Sequence, residues 1–350
     1  MRRKAAVLGA TGIVGQRLVS MLSKHPWFEL VAIASSERGV NERYNRVVNW
    51  IIEDPIPEDA GDMTLQPISP HINADIVFSA LPADIAADVE VELAKRGLFV
   101  VSNASCMRLD RNIPLLNPEV NAEHIEALEL QHKFYGWSGA LLKVPNCTTA
   151  ILTLALKPLF DSFGIDFVAA STMQAISGAG LKGLPAAFIQ DNVIPYIEGE
   201  EEKVENETKK IFGRLTSKGI VQDDGIKVTA SCNRVPVLEG HLITAFVRLK
   251  ERTTTEEVVR ALEEFPTNKI RSFGLPTAPD KPVIVRREVD RPQPRLDKWE
   301  GNGMAVVVGR VREDRALGGV KFVVLGHNTL RGAAGTAVLI AELALAKKLL

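Results

Sequence analysis

An apolar run, Ala5-Ala-Val-Leu8, passes directly into Gly9-Ala-Thr-Gly-Ile-Val-Gly15 and then into a partly apolar stretch that stops before Pro26. This is the spacing of a buried strand, a tight glycine turn and a helix folded back on the strand, and it commits a chain to a mostly parallel, doubly wound sheet. The alternation continues. Strands are expected at 5–8, 30–34, 75–79, 99–102 and 140–144, with helices at 16–22 and 84–96. Strands alternating with helices imply parallel pairing, so the first part of the chain reads as α/β. After residue 148 the texture changes. A helix over 148–160 is followed by longer apolar strands at 166–174, 227–231, 241–249, 282–286, 304–311 and 321–325, with a glycine loop at 177–183 and a charged segment at 199–211. That half reads as a sheet with helices on one side, an α+β unit. The Ala/Leu-rich segment 332–350 is expected to form a helix that packs back on the first unit.

At 350 residues the chain is long for one core, and two domains are expected, divided as 1–148 and 149–327 with 328–350 returning to the first. A net charge of −1 offers no bulk attraction to nucleic acid or an anionic membrane surface. No apolar run approaches the roughly 20 residues of a membrane span, and the start lacks the apolar centre of a signal peptide. A cytoplasmic location is therefore expected. The cysteines, Cys106, Cys147 and Cys232, make no metal-binding spacing with the scattered histidines, so no metal is expected.

The glycine turn has a ligand reading. The first glycine makes the turn, the second lets backbone approach a pyrophosphate, and the third allows the helix to lie close on the strand. Gly9, Thr11, Gly12, Ile13, Val14 and Gly15 are thus the expected dinucleotide loop. At the end of the second strand stands Ser35-Ser-Glu-Arg38. The hydroxyls of Ser35 and Ser36 and the guanidinium of Arg38 suit a ribose 2′-phosphate, whereas an NAD site places a carboxylate on the 2′-hydroxyl. Glu37 leaves NAD open, and NADP is the expectation.

The chemical residue is a cysteine. In Lys143-Val-Pro-Asn-Cys-Thr-Thr-Ala150 an apolar strand gives way to an apolar helix at Cys147. A thiol in the first turn of a helix meets unpaired N–H groups and the positive end of the macrodipole, which favours its thiolate. Cys106 competes, because Ser102-Asn-Ala-Ser-Cys106 resembles the cysteine motif of glyceraldehyde-3-phosphate dehydrogenases, but Met107-Arg-Leu-Asp-Arg-Asn-Ile-Pro114 after it reads as loop. Cys232 reads as a packed cysteine near a strand end. His241 follows Arg234-Val-Pro-Val-Leu-Glu-Gly240 at the start of a strand. Taken alone such a histidine is more often structural; with Cys147 upstream it becomes a candidate base, and Arg234 a two-pronged clamp for a carboxylate.

These residues resemble the aspartate-semialdehyde dehydrogenase family, its archaeal and fungal branch in particular. The matches are Gly9-Ala-Thr-Gly-Ile-Val-Gly15, Ser102-Asn-Ala-Ser105 with Arg108, Pro114-Leu-Leu-Asn-Pro-Glu-Val-Asn121, Pro145-Asn-Cys-Thr148, Gln174-Ala-Ile-Ser-Gly-Ala-Gly180, Glu200-Glu-Glu-Lys203, Asn233-Arg-Val-Pro-Val-Leu-Glu-Gly-His241, Arg291-Pro-Gln-Pro-Arg-Leu-Asp297 and Asn328-Thr-Leu-Arg-Gly332, in order over nearly the whole chain. The resemblance implies a Rossmann-type NADP domain, a catalytic and dimerisation domain, and a homodimer or homotetramer. It implies an NADPH-dependent reduction of L-aspartyl-4-phosphate, in amino-acid biosynthesis, through a thioacyl cysteine. It makes Cys147 the nucleophile, His241 the acid and base, and Gln174 the residue that orients the thioester. Arg234 would hold the substrate carboxylate, Glu200 its ammonium, and Arg108, Asn146 and Lys203 the phosphate. Ser79, Ala80, Leu81, Ser177, Gly178 and Asn328 complete the expected cofactor contacts.

Two departures stand beside the pocket: Val144 precedes Pro145 where the branch has asparagine, and Leu181-Lys182 replace Tyr-Pro. The run 200–203 could equally be a solvated helix face with Glu207. Malonyl-CoA reductase and N-acetylglutamyl-phosphate reductase remain related alternatives, although Asn146, where the former has leucine, favours an acyl phosphate. A non-catalytic NADP-sensing regulator is the alternative from another class.

Overall fold

The computed structural model describes residues 2–35, 39–181, 183–265, 270 and 272–350. Two six-stranded sheets organise it. The first takes β1 (Arg3–Leu8), β2 (Phe28–Ser35), β3 (Gln66–Pro67), β4 (Ile76–Ser79), β5 (Phe99–Ser102) and β6 (Ala140–Lys143) in the order β3-β2-β1-β4-β5-β6. Every pair is parallel. The order reverses between β1 and β4, which opens a crevice at the carboxyl ends of those strands, where doubly wound sheets bind ligands.

The glycine turn explains how the first helix starts. Gly9 has φ 77°, and a Cβ there would lie 2.6 Å from the Ala80 carbonyl oxygen, while one at Gly15 would meet the Gly9 oxygen at 2.1 Å. Both glycines are therefore required by the fold itself. The helix runs Ile13–Ser23, three residues earlier than the expected start, because Gly12 in extended conformation is its cap and Gly15 already lies in its first turn.

The second sheet joins β7 (Ile165–Gln174), β10 (Lys227–Arg234), β11 (His241–Leu249), β12 (Val283–Arg286), β13 (Val306–Asp314) and β14 (Gly319–Gly326) in the order β10-β7-β11-β14-β13-β12. A small antiparallel pair, β8 (Arg214–Thr216) and β9 (Gly219–Val221), stands apart. The mixed sheet has helices on one face. Residues of the helices Cys147–Phe163, Glu200–Ile211 and Thr255–Glu263 share an apolar core with Val168, Ile243, Val308 and Val324. On its other face Phe167, Ala169, Met173, Leu242 and Phe246 are only half-buried.

The C-terminal segment makes a π-helical turn at Leu330–Ala334 and then the helix Gly335–Ala346. That helix is apolar all round, and its residues lie in one core cluster with Ala5, Val7, Leu18 and Phe78, so it packs on the first sheet. Among the described residues no helix is long and apolar enough to cross a membrane.

Candidate active site

Three neighbouring strand ends bring three of the expected residues side by side. Arg234 ends β10 and is paired with Gln174, which ends β7. His241 opens β11 on the other side of β7, running the opposite way. Antiparallel return places the start of one strand beside the end of its neighbour, so residues far apart in sequence meet at one sheet edge. Cys147, the first residue of its helix, faces them: its Sγ lies 3.2 Å from His241 Nε2.

The cap of that helix is Asn146. Its Oδ1 accepts from the Thr148 and Thr149 amides at 2.9 and 3.2 Å, and its Nδ2 donates to Glu200 at 2.8 Å. The Ala150 amide bonds the Asn146 carbonyl at 2.8 Å. The Cys147 N–H is thus, among the described residues, the first-turn amide with no protein acceptor. Close approach around the sulfur is also set by glycine. A Cβ on Gly332 would stand 2.6 Å from Cys147 Cβ, and one on Gly178 would stand 2.8 Å from Arg234 Nη1 and 3.3 Å from His241 Cε1. Gly178, expected as a cofactor contact, thus lies directly against the arginine and histidine.

The expectation of a favoured thiolate is corrected. Burial pushes the Cys147 thiol up to about 12, with Glu200 adding to the effect and Arg234, Arg108 and the Thr148 amide opposing it. The helix terminus is present as expected, but the desolvation of a sulfur anion outweighs it. Burial also pulls His241 down to about 3, helped by the charges of Arg234 and His327. The Ala175 amide lies 3.1 Å from His241 Nδ1. An amide can only donate, so Nδ1 is an acceptor and the proton is assigned to Nε2, facing the sulfur. Taken singly, burial therefore favours a thiol at Cys147 and a neutral ring at His241. Alkylation of Cys147 by iodoacetamide, followed by peptide mass mapping to separate it from Cys106, is accordingly expected to accelerate about tenfold per pH unit from pH 7 to 10. A plateau with a midpoint below pH 8 would contradict the buried-thiol account.

His124 and His327 are likewise drawn down, chiefly by burial. Each of the three is held below the value near 6.5 at which the unfolded chain protonates it. The unfolded state then binds more protons as the pH falls, so their stabilising contribution is complete above about pH 7 and is lost as the pH falls, for His241 down to about 3. The urea midpoint should fall between pH 7 and pH 5, and His124→Gln should make that fall shallower; an unchanged slope would remove His124 from the account.

Two clefts meet at Leu184, and one of them reaches the sulfur. One, of about 630 Å³, is lined by Arg108, Asn146, Cys147, Gln174, Glu200, Lys203 and Arg234 among others. One stripe of the helix Glu200–Ile211 turns inward: Glu200 and Lys203 line this cleft, and Glu200, Glu207 and Lys210 are all buried. Lys203 Nζ sits 3.7 Å from Glu200. Arg234 Nη1 donates to the Ala175 carbonyl at 2.7 Å, and Arg108 to Glu207 at 2.9 Å and to the Asn103 carbonyl at 2.6 Å.

The other cleft, about 430 Å³, is lined by Ile13, Ile52, Glu53, Ser177, Leu238, Glu239 and Lys298 among others, and shares Leu184 with the first. Ser177 and Asn328 are brought together there, Nδ2 to Oγ, at 2.8 Å, and Asn328 Oδ1 accepts from the Gly240 amide at 2.8 Å. Gly12 suits a dinucleotide for a reason the fold does not supply. It has an ordinary φ of −76°, and a Cβ on it would meet nothing closer than 3.5 Å, so the fold itself does not require a glycine there. Thr11 Oγ1 lies 3.1 Å from Ser35 Oγ. Ser79 is fully buried, with its hydroxyl given to Glu90 at 2.6 Å and its carbonyl accepting from the Asn103 amide at 2.9 Å, whereas Ala80 beside it is half-buried. Ser36 and Arg38 lie outside the described residues.

Sequence reasoning passed over Arg17, Glu207, Lys210 and Glu239. Arg17, on the first helix, bonds Glu239 at 2.9 Å and Glu53 at 2.7 Å, and His327 approaches Glu239 at 3.3 Å. The cofactor turn is so tied to the residues just before His241. Burial would raise Glu239, but His327 and Arg17 hold it below the usual carboxylate range. The available signal for Glu207 and Lys210 was their spacing from Glu200 and Lys203.

Comparison with known proteins gives one consistent answer. Residues 4–128 match the model for the semialdehyde dehydrogenase NAD binding domain, and 156–331 that for the semialdehyde dehydrogenase dimerisation domain. An aspartate-semialdehyde dehydrogenase from Archaeoglobus fulgidus is 49% identical over 100% of both chains, and one from Methanothermobacter thermautotrophicus 47% identical over 96% of this chain and 97% of that one. A crystal structure of aspartate semialdehyde dehydrogenase with NADP from Candida albicans superposes with a TM-score of 0.91 at 42% identity, covering 99% of this chain and 100% of that one.

Proposed function

The chain belongs to the semialdehyde dehydrogenases, in their aspartate-semialdehyde branch, and from that premise we propose how its residues divide the work. The reaction is the NADPH-dependent reductive dephosphorylation of L-aspartyl-4-phosphate to L-aspartate 4-semialdehyde through a thioester on cysteine. The observation that carries the assignment of residues is the cleft in which Cys147 sits among three cations, Arg108, Lys203 and Arg234, and the carboxylate of Glu200. A substrate with a phosphoryl group, a carboxylate and an ammonium meets one complement for each. Arg234 takes the carboxylate in this reading, Glu200 the ammonium, and Arg108 and Lys203 the phosphoryl group. Asn146 serves chiefly as the cap that holds the nucleophile's turn, and Gln174 lies between Arg234 and His241 to orient the acyl carbon.

Sulfur of Cys147 attacks the acyl carbon, the bond to phosphate breaks, and the thiol proton leaves with the phosphate. When bound, the nicotinamide supplies the hydride that the thioester carbon accepts. Negative charge then rests on the former carbonyl oxygen, within reach of His241 Nε2–H and the Cys147 amide. Collapse of that oxyanion expels the sulfur and frees the aldehyde, and the thiolate takes a proton from water. His241 thereby acts as a neutral hydrogen-bond donor to sulfur and oxygen, in place of the acid and base work the resemblance implies. Gly9 to Gly15, Ser35, Ser177, Gly178 and Asn328 line the NADP path.

The protein is a homo-oligomer through its dimerisation domain. We place the contact of a dimer on the helix-free, half-apolar face of the mixed sheet, with a tetramer as the alternative that light scattering would detect. The division at 148 and 327 and a reducing, cytoplasmic location belong to the same proposal.

The decisive assay is reduction of NADP by aspartate semialdehyde with phosphate, beside NAD, and beside coenzyme A in place of phosphate. Rapid turnover only with phosphate supports the reading; turnover only with coenzyme A would replace the substrate class.

A further inference from the structure

Residues 200, 203, 207 and 210 recur at steps of three and four and so form one stripe of the helix Glu200–Ile211. Glu200 and Lys203 look into the substrate cleft, but Glu207 and Lys210 reach past it to the segments that build its wall. Lys210 is buried, and its Nζ donates to the carbonyls of Arg108, Asp110 and Ile113 at 2.6, 2.5 and 2.7 Å. Three ammonium hydrogens meet three acceptors, and the loop after β5 is wrapped around this one charge as it would be around a bound cation. Burial draws Lys210 down to about 7 while Asp110 and Glu207 pull back. Glu207, 2% exposed, accepts from Arg108 Nη1 at 2.9 Å with one oxygen and from the Asn146 amide at 2.6 Å with the other. The hydrogen bonds of these two buried charges therefore end on two segments alone, the loop bearing Arg108 and the peptide that leads into Cys147. Apolar side chains of similar volume would fill the space without desolvating two ions. What they could not do is fix where a guanidinium stands relative to a sulfur.

We propose that Glu207 and Lys210 are positioning residues for the phosphoryl group, holding Arg108 at a set place in the cleft of Cys147 so that the leaving phosphate is bound beside the acyl carbon the sulfur attacks. The proposal rests on the reading that Arg108 meets the phosphate. Kinetics in the direction of aldehyde oxidation, with inorganic phosphate as the varied substrate, test both. Glu207→Gln, which keeps the shape and loses the charge, should raise KM for phosphate on the order of tenfold and lower kcat, with KM for the semialdehyde and for NADP within twofold. Lys210→Met should do the same more strongly; if it does not fold, Glu207→Gln carries the test by itself. Arg108→Met is the reference. If it leaves KM for phosphate unchanged, the assignment of Arg108 fails and the proposal with it. If Arg108→Met raises that KM but Glu207→Gln either leaves it unchanged or raises all three KM values together, the residue is merely structural and the proposal alone is overturned.

Discussion

Cys147→Ala is expected to lower phosphate-dependent reduction of NADP by at least about 10⁴-fold while changing cofactor affinity by no more than a few fold. The sulfur lines the substrate cleft beside Gln174, Arg234 and Lys203 and lies 3.2 Å from His241 Nε2. Alanine keeps the Cβ on which Gly332 packs, so the closely fitted C-terminal segment has no cause to move. Thermal stability and NADP binding are thus internal controls for the loss of chemistry. Without a thioester the acyl phosphate carbon is a poor hydride acceptor, and nothing in the cleft replaces that activation. Residual turnover above about 1% in carefully separated protein would mean that the carbon is reduced without a covalent intermediate.

The second large effect is at His241. Loss of its side chain in His241→Ala should reduce kcat on the order of 10²- to 10⁴-fold with a much smaller change in KM. The hydrogen bond from Ala175 and the pKa near 3 make a further distinction possible. A neutral donor can be imitated by a primary amide, an imidazolium acid cannot. His241→Gln, with an N–H near the place of Nε2, should therefore recover about tenfold or more over His241→Ala. The rate in the wild-type protein should show no step near pH 6.5 belonging to this residue. If the glutamine variant is as slow as alanine and a step near pH 6.5 appears, the histidine cycles through its charged form.

Much of this was legible from local pattern. The Gly9–Gly15 spacing, the strand–helix alternation and the apolar strands after residue 160 each depend on contacts within a short stretch, and those elements lie within a few residues of expectation. The helix over 200–211 was less legible, because a charged amphipathic segment looks the same whether its charges face water or a pocket. Only its neighbours decide that, and here they bury Glu200, Glu207 and Lys210.

By itself the sequence determined most of the long strands and helices and the dinucleotide turn, and it nominated the reactive residues, because backbone sterics and side-chain chemistry act over a few residues; the short strands β3, β8 and β9 carried no such signal. Tertiary structure decided which of those residues meet, and in what protonation state. Arg234, Gln174 and His241 converge because β10 and β11 flank β7, and the surroundings of the sulfur push its thiol up against the pull of the helix terminus. Desolvation depends on everything around a group, and no stretch of sequence contains that.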